Sequence, residues 1–295
     1  MKLPSDLVAT VAAAVEAGTL EAAARTLHIT PSAVSQRIRS LEERIGRTLL
    51  VRTKPLRATE AGEAIVRLAR QLALLEHDTL RVLGLDDDGP ARLALAVNAD
   101  SLATWFLPAL TRIVEGGDVA IELHRDDQDH TARLLADGTV SAAVTSQSAA
   151  VVGCTVTRLG VMSYRACATP AFVERWFPDG VTLDALAVAP VIEYDRRDDL
   201  QSRWLRARGA SVTDAPRTFV PASHDFAAAV RAGIGWGMLP PLQADEPIAT
   251  GEIVLVDAHP IAVPLYWQQW DLRSPLLDRV ARVVVDEARQ VLDPS

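Results

Sequence analysis

The sequence predicts an α/β chain whose N-terminal part is all-α: a winged module of three helices, one long linker helix, and two small α/β lobes. Three observations predict it. The first 46 residues hold three short apolar periodicities at helical spacing, residues 60–83 hold one unbroken helical stripe, and strand-like and helix-like runs alternate from residue 91 onward. With 295 residues and 49% hydrophobic content, the chain is long enough for about two domains with their own cores.

Ser5 or Asp6 is expected to cap the first helix, which sets Leu7, Val11 and Val15 on one face and stops at Gly18. Thr19 caps a second helix through Leu27. Thr30 caps a third with Pro31 at its first position, where the missing N–H costs nothing. Val34, Ile38, Leu41 and Ile45 form its stripe, and Gly46 ends it. Leu49–Arg52 and Leu56–Ala58 flank Thr53-Lys54-Pro55 as a wing. Thr59 caps a long helix from Glu60 to about Leu83, in which Ile65, Leu68, Leu72, Leu75, Leu80 and Val82–Leu83 recur on one side. A stripe on so long a helix, beside so small a module, is expected to bury itself against a second copy. Asp86-Asp87-Asp88-Gly89-Pro90 reads as a linker.

Beyond it, strands are expected at Arg92–Val97, Val119–Leu123, Val140–Thr145, Thr155–Leu159, Ser163–Ala168, Pro190–Glu193, Arg217–Val220, Gly235–Leu239, Ile253–Val256 and Pro264–Trp270. Helices are expected at 101–114, 130–137, 170–177, 182–187, 198–208, Asp225–Ala232 and Ser274–Val291. The alternation implies parallel sheets. The domain reading is 1–58 winged module, 59–85 linker helix, 86–90 hinge linker and 91–295 two lobes (lobe I about 91–162 and 264–295, lobe II about 163–263).

The net charge of −8 argues against a polyanionic partner only if it is evenly spread. Between Arg25 and Arg57 stand eight positive and two negative residues, a surplus of six positive charges, so the rest of the chain totals −14. A basic patch on an acidic chain is a phosphate-binding arrangement. Two cysteines, Cys154 and Cys167, make no disulfide framework or metal spacing. The N-terminus lacks the apolar core of a signal peptide, and no run approaches the ~20 apolar residues of a membrane span, so the expected compartment is the cytoplasm with no membrane partner.

Two short helices and a third with a polar leading turn make a helix-turn-helix candidate, whose second helix would enter the major groove of double-stranded DNA. The positions facing DNA would be Thr30, Pro31, Ser32, Ser35, Gln36, Arg37 and Arg39. Ser32, Ser35 and Gln36 can reach base edges, Arg37 can fork onto guanine or hold a phosphate, and Arg52, Lys54 and Arg57 of the wing suit phosphates. The bland alternative is a solvated basic face.

The run from Ala22 to Glu42, with Leu50-Val51-Arg52 and Thr59-Glu60-Ala61-Gly62, resembles the helix-turn-helix signature of LysR-type transcriptional regulators over about sixty residues. Thr19-Leu20 departs from the family's more usual Ser-Phe. The resemblance implies a linker-helix homodimer or homotetramer and a two-lobed effector domain like that of periplasmic binding proteins. Asn98–Phe106, Asp126–His130, Gly235–Pro240 and Tyr266–Trp270 resemble the lysine/arginine-export regulator branch (LysG/ArgP). That implies lysine or arginine as effector and an amino-acid exporter gene as target. Cleft closure would then re-space the winged modules on the operator.

Ligands of open α/β lobes sit at the carboxyl ends of strands, where helices begin. Candidate effector residues are therefore Asp100, Ser101 and Thr104 after the first strand, Thr145 and Ser146 after the third, and Ser223 and Asp225 in the second lobe. For the cationic ends of such a ligand the candidates are Asp100, Asp127, Asp129 and Asp225. Asp100 and Asp225 read equally well as helix caps, and 126–129 reads better as a solvated loop. Trp236 and Tyr266–Trp270 read as core. Contiguous Ser223-His224-Asp225 cannot converge as a triad, and no phosphate loop, nucleophile elbow or zinc signature occurs. No catalytic residue, cofactor or metal is expected. The alternatives are a regulator of another small effector, or an α/β enzyme or solute-binding domain fused to a DNA-binding module.

Overall fold

The structure, a computed structural model, describes residues 2–85, 89–125, 128–210 and 215–294, with the backbone alone at 128–130. Residues 86–88 of the expected linker 86–90 and the candidate Asp127 lie outside these residues, as do the side chains of Asp129 and His130.

The N-terminal module consists of α1 (Ser5–Ala17), α2 (Leu20–Thr26), α3 (Pro31–Ile45), the wing strands β1 (Leu50–Val51) and β2 (Arg57–Ala58), and α4 (Glu60–Val82). Leu7, Val8, Val11 and Ala14 of α1 share one core with Val34, Ile38 and Leu41 of α3 and with Ile65, Val66 and Ala69 of α4. Gly18 and Gly46 close α1 and α3 as expected, and Thr19, Thr30 and Thr59 each accept an amide of the following helix. The cap of α1 is different: Pro4 precedes it and no side chain caps it, so neither Ser5 nor Asp6 does. Pro4 fixes an extended entry that places both residues inside the first turn, past the capping position.

The α/β part runs β3 (Ala91–Val97), α5 (Ala99–Thr104), α6 (Phe106–Val114), β4 (Val119–Arg125), α7 (Gln128–Ala136), β5 (Ala142–Thr145), β6 (Cys154–Ala168), α8 (Pro170–Trp176), α9 (Leu183–Val188) and β7 (Val191–Glu193). It continues with α10 (Leu200–Arg206), β8 (Arg217–Phe219), α11 (Ser223–Arg231), β9 (Gly237–Leu239), α12 (Pro241–Ala249), β10 (Val254–Leu255), β11 (Ile261–Trp270) and α13 (Pro275–Val291).

The chain forms two compact units. The first holds residues 1–97, 112–157 and 267–283; the second holds 98–111, 158–266 and 284–295. In the first, β3 lies parallel between β4 and β5, with Leu95 opposite both Leu123 and Ala142. In the second, β6 pairs antiparallel with β9 and β10, while β7 and β8 form a parallel pair. The all-parallel expectation fails in the second unit because β6 runs opposite to the strands that follow its helices. Its core gathers Cys167, Ile192, Phe226, Val230, Leu239, Ala244 and Ile253.

Three further expectations are corrected. The helix expected at 101–114 breaks at Trp105, because Pro108 has no N–H for the Thr104 carbonyl and its ring would clash there. The strands expected at 155–159 and 163–168 are one strand, held across the gap by reciprocal hydrogen bonds between Val161 and Asp293 of 2.9 and 3.1 Å. Helix α12 was masked by Pro240, Pro241 and Pro247, which read as turn; Pro241 instead opens it and Pro247 falls in its last turns.

Candidate functional site

Helix α3 presents its polar leading turn to solvent. Pro31, Ser32, Gln36 and Arg39 are exposed, Ser35 and Arg37 are half-buried, and Thr30 Oγ1 accepts the Ala33 amide at 3.2 Å while sharing a 2.9 Å hydrogen bond with Ser32 Oγ. The turn before it passes through His28 with φ 54°, a left-handed conformation in a non-glycine residue. Arg37 sits 3.9 Å from Asp6, an exposed pair that contributes little and is easily exchanged for a phosphate or base edge. Arg52, Lys54 and Arg57 are exposed on the wing, which is tied to the α1–α2 turn by the Leu56 amide on the Gly18 carbonyl at 2.8 Å. Exposed Arg25, Arg44 and Arg47 extend the basic face. Replacing Arg37 by alanine is expected to weaken operator binding by ~1–3 kcal/mol. Loss on operator alone marks base reading, equal loss on random DNA marks a phosphate contact, and an unchanged footprint removes Arg37 from the interface.

The second unit carries a polar cluster around α5. Tyr164 of β6 donates to Asp100 Oδ2 at 2.7 Å. Asp198, in the turn before α10, accepts the Leu200 amide at 3.0 Å and the Tyr194 amide at 3.3 Å. Burial pushes its carboxyl up to about 6, and the charges of Asp100 and Asp195 add to that push against the two amides. Burial also holds the Tyr164 hydroxyl well above its ordinary range, so it stays a donor. Ser101 is fully buried and its Oγ meets no partner among the described residues; neither does the buried Oδ1 of Asn98. A buried polar atom without a partner is costly unless something else supplies one.

The other candidates are placed as follows. Thr104 Oγ1 donates to the Asp100 carbonyl at 2.6 Å, which commits it to its own helix. Ser223 is buried and accepts from Gln243 Nε2 at 3.0 Å, whereas Asp225 is exposed, and neither caps α11. Thr145 ends β5 in the first unit, where its Oγ1 accepts the Gln147 amide at 3.2 Å, and Ser146 follows half-buried. Helix α5 spans only six residues, so what it brings is side chains rather than a helix-end dipole. Sequence reasoning missed Asp198 and Tyr164. Arg196-Arg197-Asp198-Asp199 has the composition of a solvated turn, and Tyr164 sits in an apolar strand; a lone tyrosine there was the one available signal.

Trp236, Trp267 and Trp270 are fully buried, Trp236 with its ring 5.0 Å from that of Trp204. Among the described residues no group of three or more His, Cys, Asp or Glu is placed to hold a metal ion, and no helix is long and apolar enough to cross a membrane.

A winged helix-turn-helix with a basic face, joined to an α/β part with a buried polar cluster, defines a DNA-binding regulator with a ligand-sensing part. The signature "Bacterial regulatory helix-turn-helix protein, lysR family" matches residues 5–63 and "LysR substrate binding domain" matches 91–289, and the chain belongs to the LysR family. It is a transcriptional regulator, not an enzyme. It is 41% identical to the lysine export transcriptional regulatory protein LysG of Corynebacterium glutamicum, over 97% of this chain and 98% of the relative. The crystal structure of ArgP from Mycobacterium tuberculosis superposes with a TM-score of 0.91 at 44% identity, covering 100% of both chains. Full-length LysG from C. glutamicum with bound effector Arg superposes with a TM-score of 0.82 at 38% identity, covering 99% of this chain and 100% of that one.

Proposed function

We propose that this regulator works in the cytoplasm, takes a basic amino acid, arginine or lysine, as its effector, and controls an amino-acid exporter gene. The observation that carries the reading is the surplus of buried and half-buried acceptors in the second unit. Two carboxyl groups, Asp100 and Asp198, accompany the Ser101 hydroxyl and the Asn98 carbonyl oxygen, and a guanidinium or ammonium group supplies the N–H donors such a set calls for. The bound effector of one relative and the export role in the name of another point the same way. Thr30, Pro31, Ser32, Ser35, Gln36, Arg37 and Arg39 are the proposed groove-facing residues, with Arg52, Lys54 and Arg57 on phosphates. Assembly is proposed through α4: Leu72 and the capping residue Leu83 are exposed on the side opposite the buried Leu74 and Asp78. This divides the expected single stripe, since Ile65 is spent on the module's own core.

The test is retardation of the DNA upstream of the chain's own gene, with and without arginine, lysine and histidine. A shift altered by arginine or lysine alone supports the reading; no retardation under any condition would sink it.

Effector affinity should depend on pH through Asp198. A bound cation favours the ionised carboxylate, and this carboxyl sits at about 6 in the free protein. Arginine should therefore bind about tenfold tighter at pH 7 than at pH 5 and level off above. Without ligand the sign for stability is opposite: between about pH 4 and 6 the folded state holds a proton that the unfolded chain has released, so this group's contribution declines as pH rises through that window. Titration calorimetry from pH 5 to 7 checks it, and a flat affinity removes Asp198 from the site.

A further inference from the structure

Helix α4 is fastened to the α/β part of the first unit along one side. Arg67 Nη2 donates to the Val152 and Gly153 carbonyls at 3.1 and 3.2 Å, and Nη1 donates to the Ala136 carbonyl at 3.4 Å. One turn on, Arg70 Nη1 donates to the Gly138 carbonyl at 2.6 Å. Farther along, Asp78 accepts from Ser274 at 2.5 Å, and Arg81 pairs with Asp118, which Arg279 also holds at 2.8 Å. These anchors span fifteen residues, ~21 Å of helix.

The fit at Arg67 is close. Gly138 has φ 78°, and a Cβ there would stand 2.6 Å from both Cα and Cβ of Arg67, so a glycine is what lets the turn after α7 reach the helix. The carbonyls that Arg67 holds are also particular ones. Ala136 ends α7, where a cation is favoured by the helix dipole. Val152 and Gly153 immediately precede β6, and Gly153 also accepts the amide of Asp271, the residue after β11. Strands β6 and β11 are two of the places where the chain passes from one unit to the other. A single guanidinium thus grips the root of β6, one bond away from the root of β11. The same turn of the helix, on its other side, shares its core with α1 and α3 through Ile65, Val66 and Ala69.

We infer that Arg67, supported by Arg70, is the positioning residue that couples the crossover strands to the DNA-reading module. A displacement at the start of β6 moves the carbonyls on which Arg67 is seated. The guanidinium passes that displacement to α4, and α4 passes it to the core beneath α3.

The test uses full-length Arg67→Ala, Arg67→Lys and Arg70→Ala, and its ligand arm rests on the effector reading above. Arg67→Ala is expected to bind arginine and ligand-free operator within about threefold of the wild type, while the arginine-induced change in operator affinity or footprint falls about tenfold or vanishes. Arg67→Lys should restore only part, since one ammonium cannot span three carbonyls as a planar fork does. Arg70→Ala, which removes a single carbonyl contact, should show an intermediate loss even if Arg67→Ala fails to fold. A full arginine response in Arg67→Ala, or in both milder variants, overturns the inference. If the wild type itself responds to neither arginine nor lysine, the effector reading fails separately. Hydrogen exchange of α4 then decides the coupling: amides of residues 70–82 should exchange about tenfold faster in Arg67→Ala and Arg70→Ala, and unchanged protection in a folded variant overturns it.

Discussion

Replacing Gly62 with alanine is expected to cost the N-terminal module about 3 kcal/mol or more, lowering its melting temperature by roughly 12 °C and abolishing operator binding. A Cβ at this position would stand 1.9 Å from the Leu49 carbonyl oxygen and 3.0 Å from its carbon. Neither partner can retreat cheaply. Leu49 is fully buried, its amide donates to Glu42 at 2.8 Å, and the same carbonyl accepts the Thr59 amide at 2.9 Å. On the other side, the Gly62 amide is held by the Thr59 cap at 3.1 Å. The collision therefore prises the wing from the start of α4 or breaks the first turn of that helix. Thr59→Ala is the graded comparison, costing about 1 kcal/mol because it removes a cap without adding bulk. Thermal unfolding of the full chain followed by circular dichroism reads both, and a wild-type melting temperature for Gly62→Ala would refute the packing argument.

Asp100→Asn is expected to weaken arginine binding by about a hundredfold while leaving the fold as stable as the wild type, or slightly more so. The affinity falls because a half-buried charge partner of the ligand is gone, an effect of about 3 kcal/mol. Stability does not fall with it: the amide oxygen still accepts from Tyr164, and the like charge that pushes Asp198 upward is removed. Opposite directions for binding and stability separate a ligand-binding carboxylate from a structural one, since a helix-capping or packing aspartate would lose both together. Calorimetric titration with arginine, paired with thermal unfolding, decides it; equal losses in both would remove Asp100 from the effector site.

Much of the N-terminal module was legible because its signals are local. Thr19, Thr30 and Thr59 cap α2, α3 and α4 through amides three residues ahead, and Gly18 and Gly46 end α1 and α3 one residue past their last turn. The basic surplus between Arg25 and Arg57 could be counted without coordinates. The breaks were harder. Pro108 marks the end of α5 only once it is known that Thr104 would need its N–H, and Pro241 opens α12 where the composition suggested a turn.

The proposed effector cluster was half legible. Asp100 and Ser101 could be placed because they follow a strand and start a helix. Asp198 and Tyr164 could not, because what makes them candidates is burial beside Asp100, sixty-four residues from one and ninety-eight from the other in sequence. Arg67 left no trace at all: its partners are backbone carbonyls, which every residue has.

What the sequence determined by itself is the class of protein and the elements and basic surplus of its N-terminal module, on which the proposed DNA-reading face rests, since caps, periodicity and charge are set by residues within a turn or two of one another. The tertiary structure alone decided which half-buried carboxylates come together and which side of α4 is bolted down or left bare. Those properties depend on desolvation and on contacts between distant segments, and neither exists until the chain has folded.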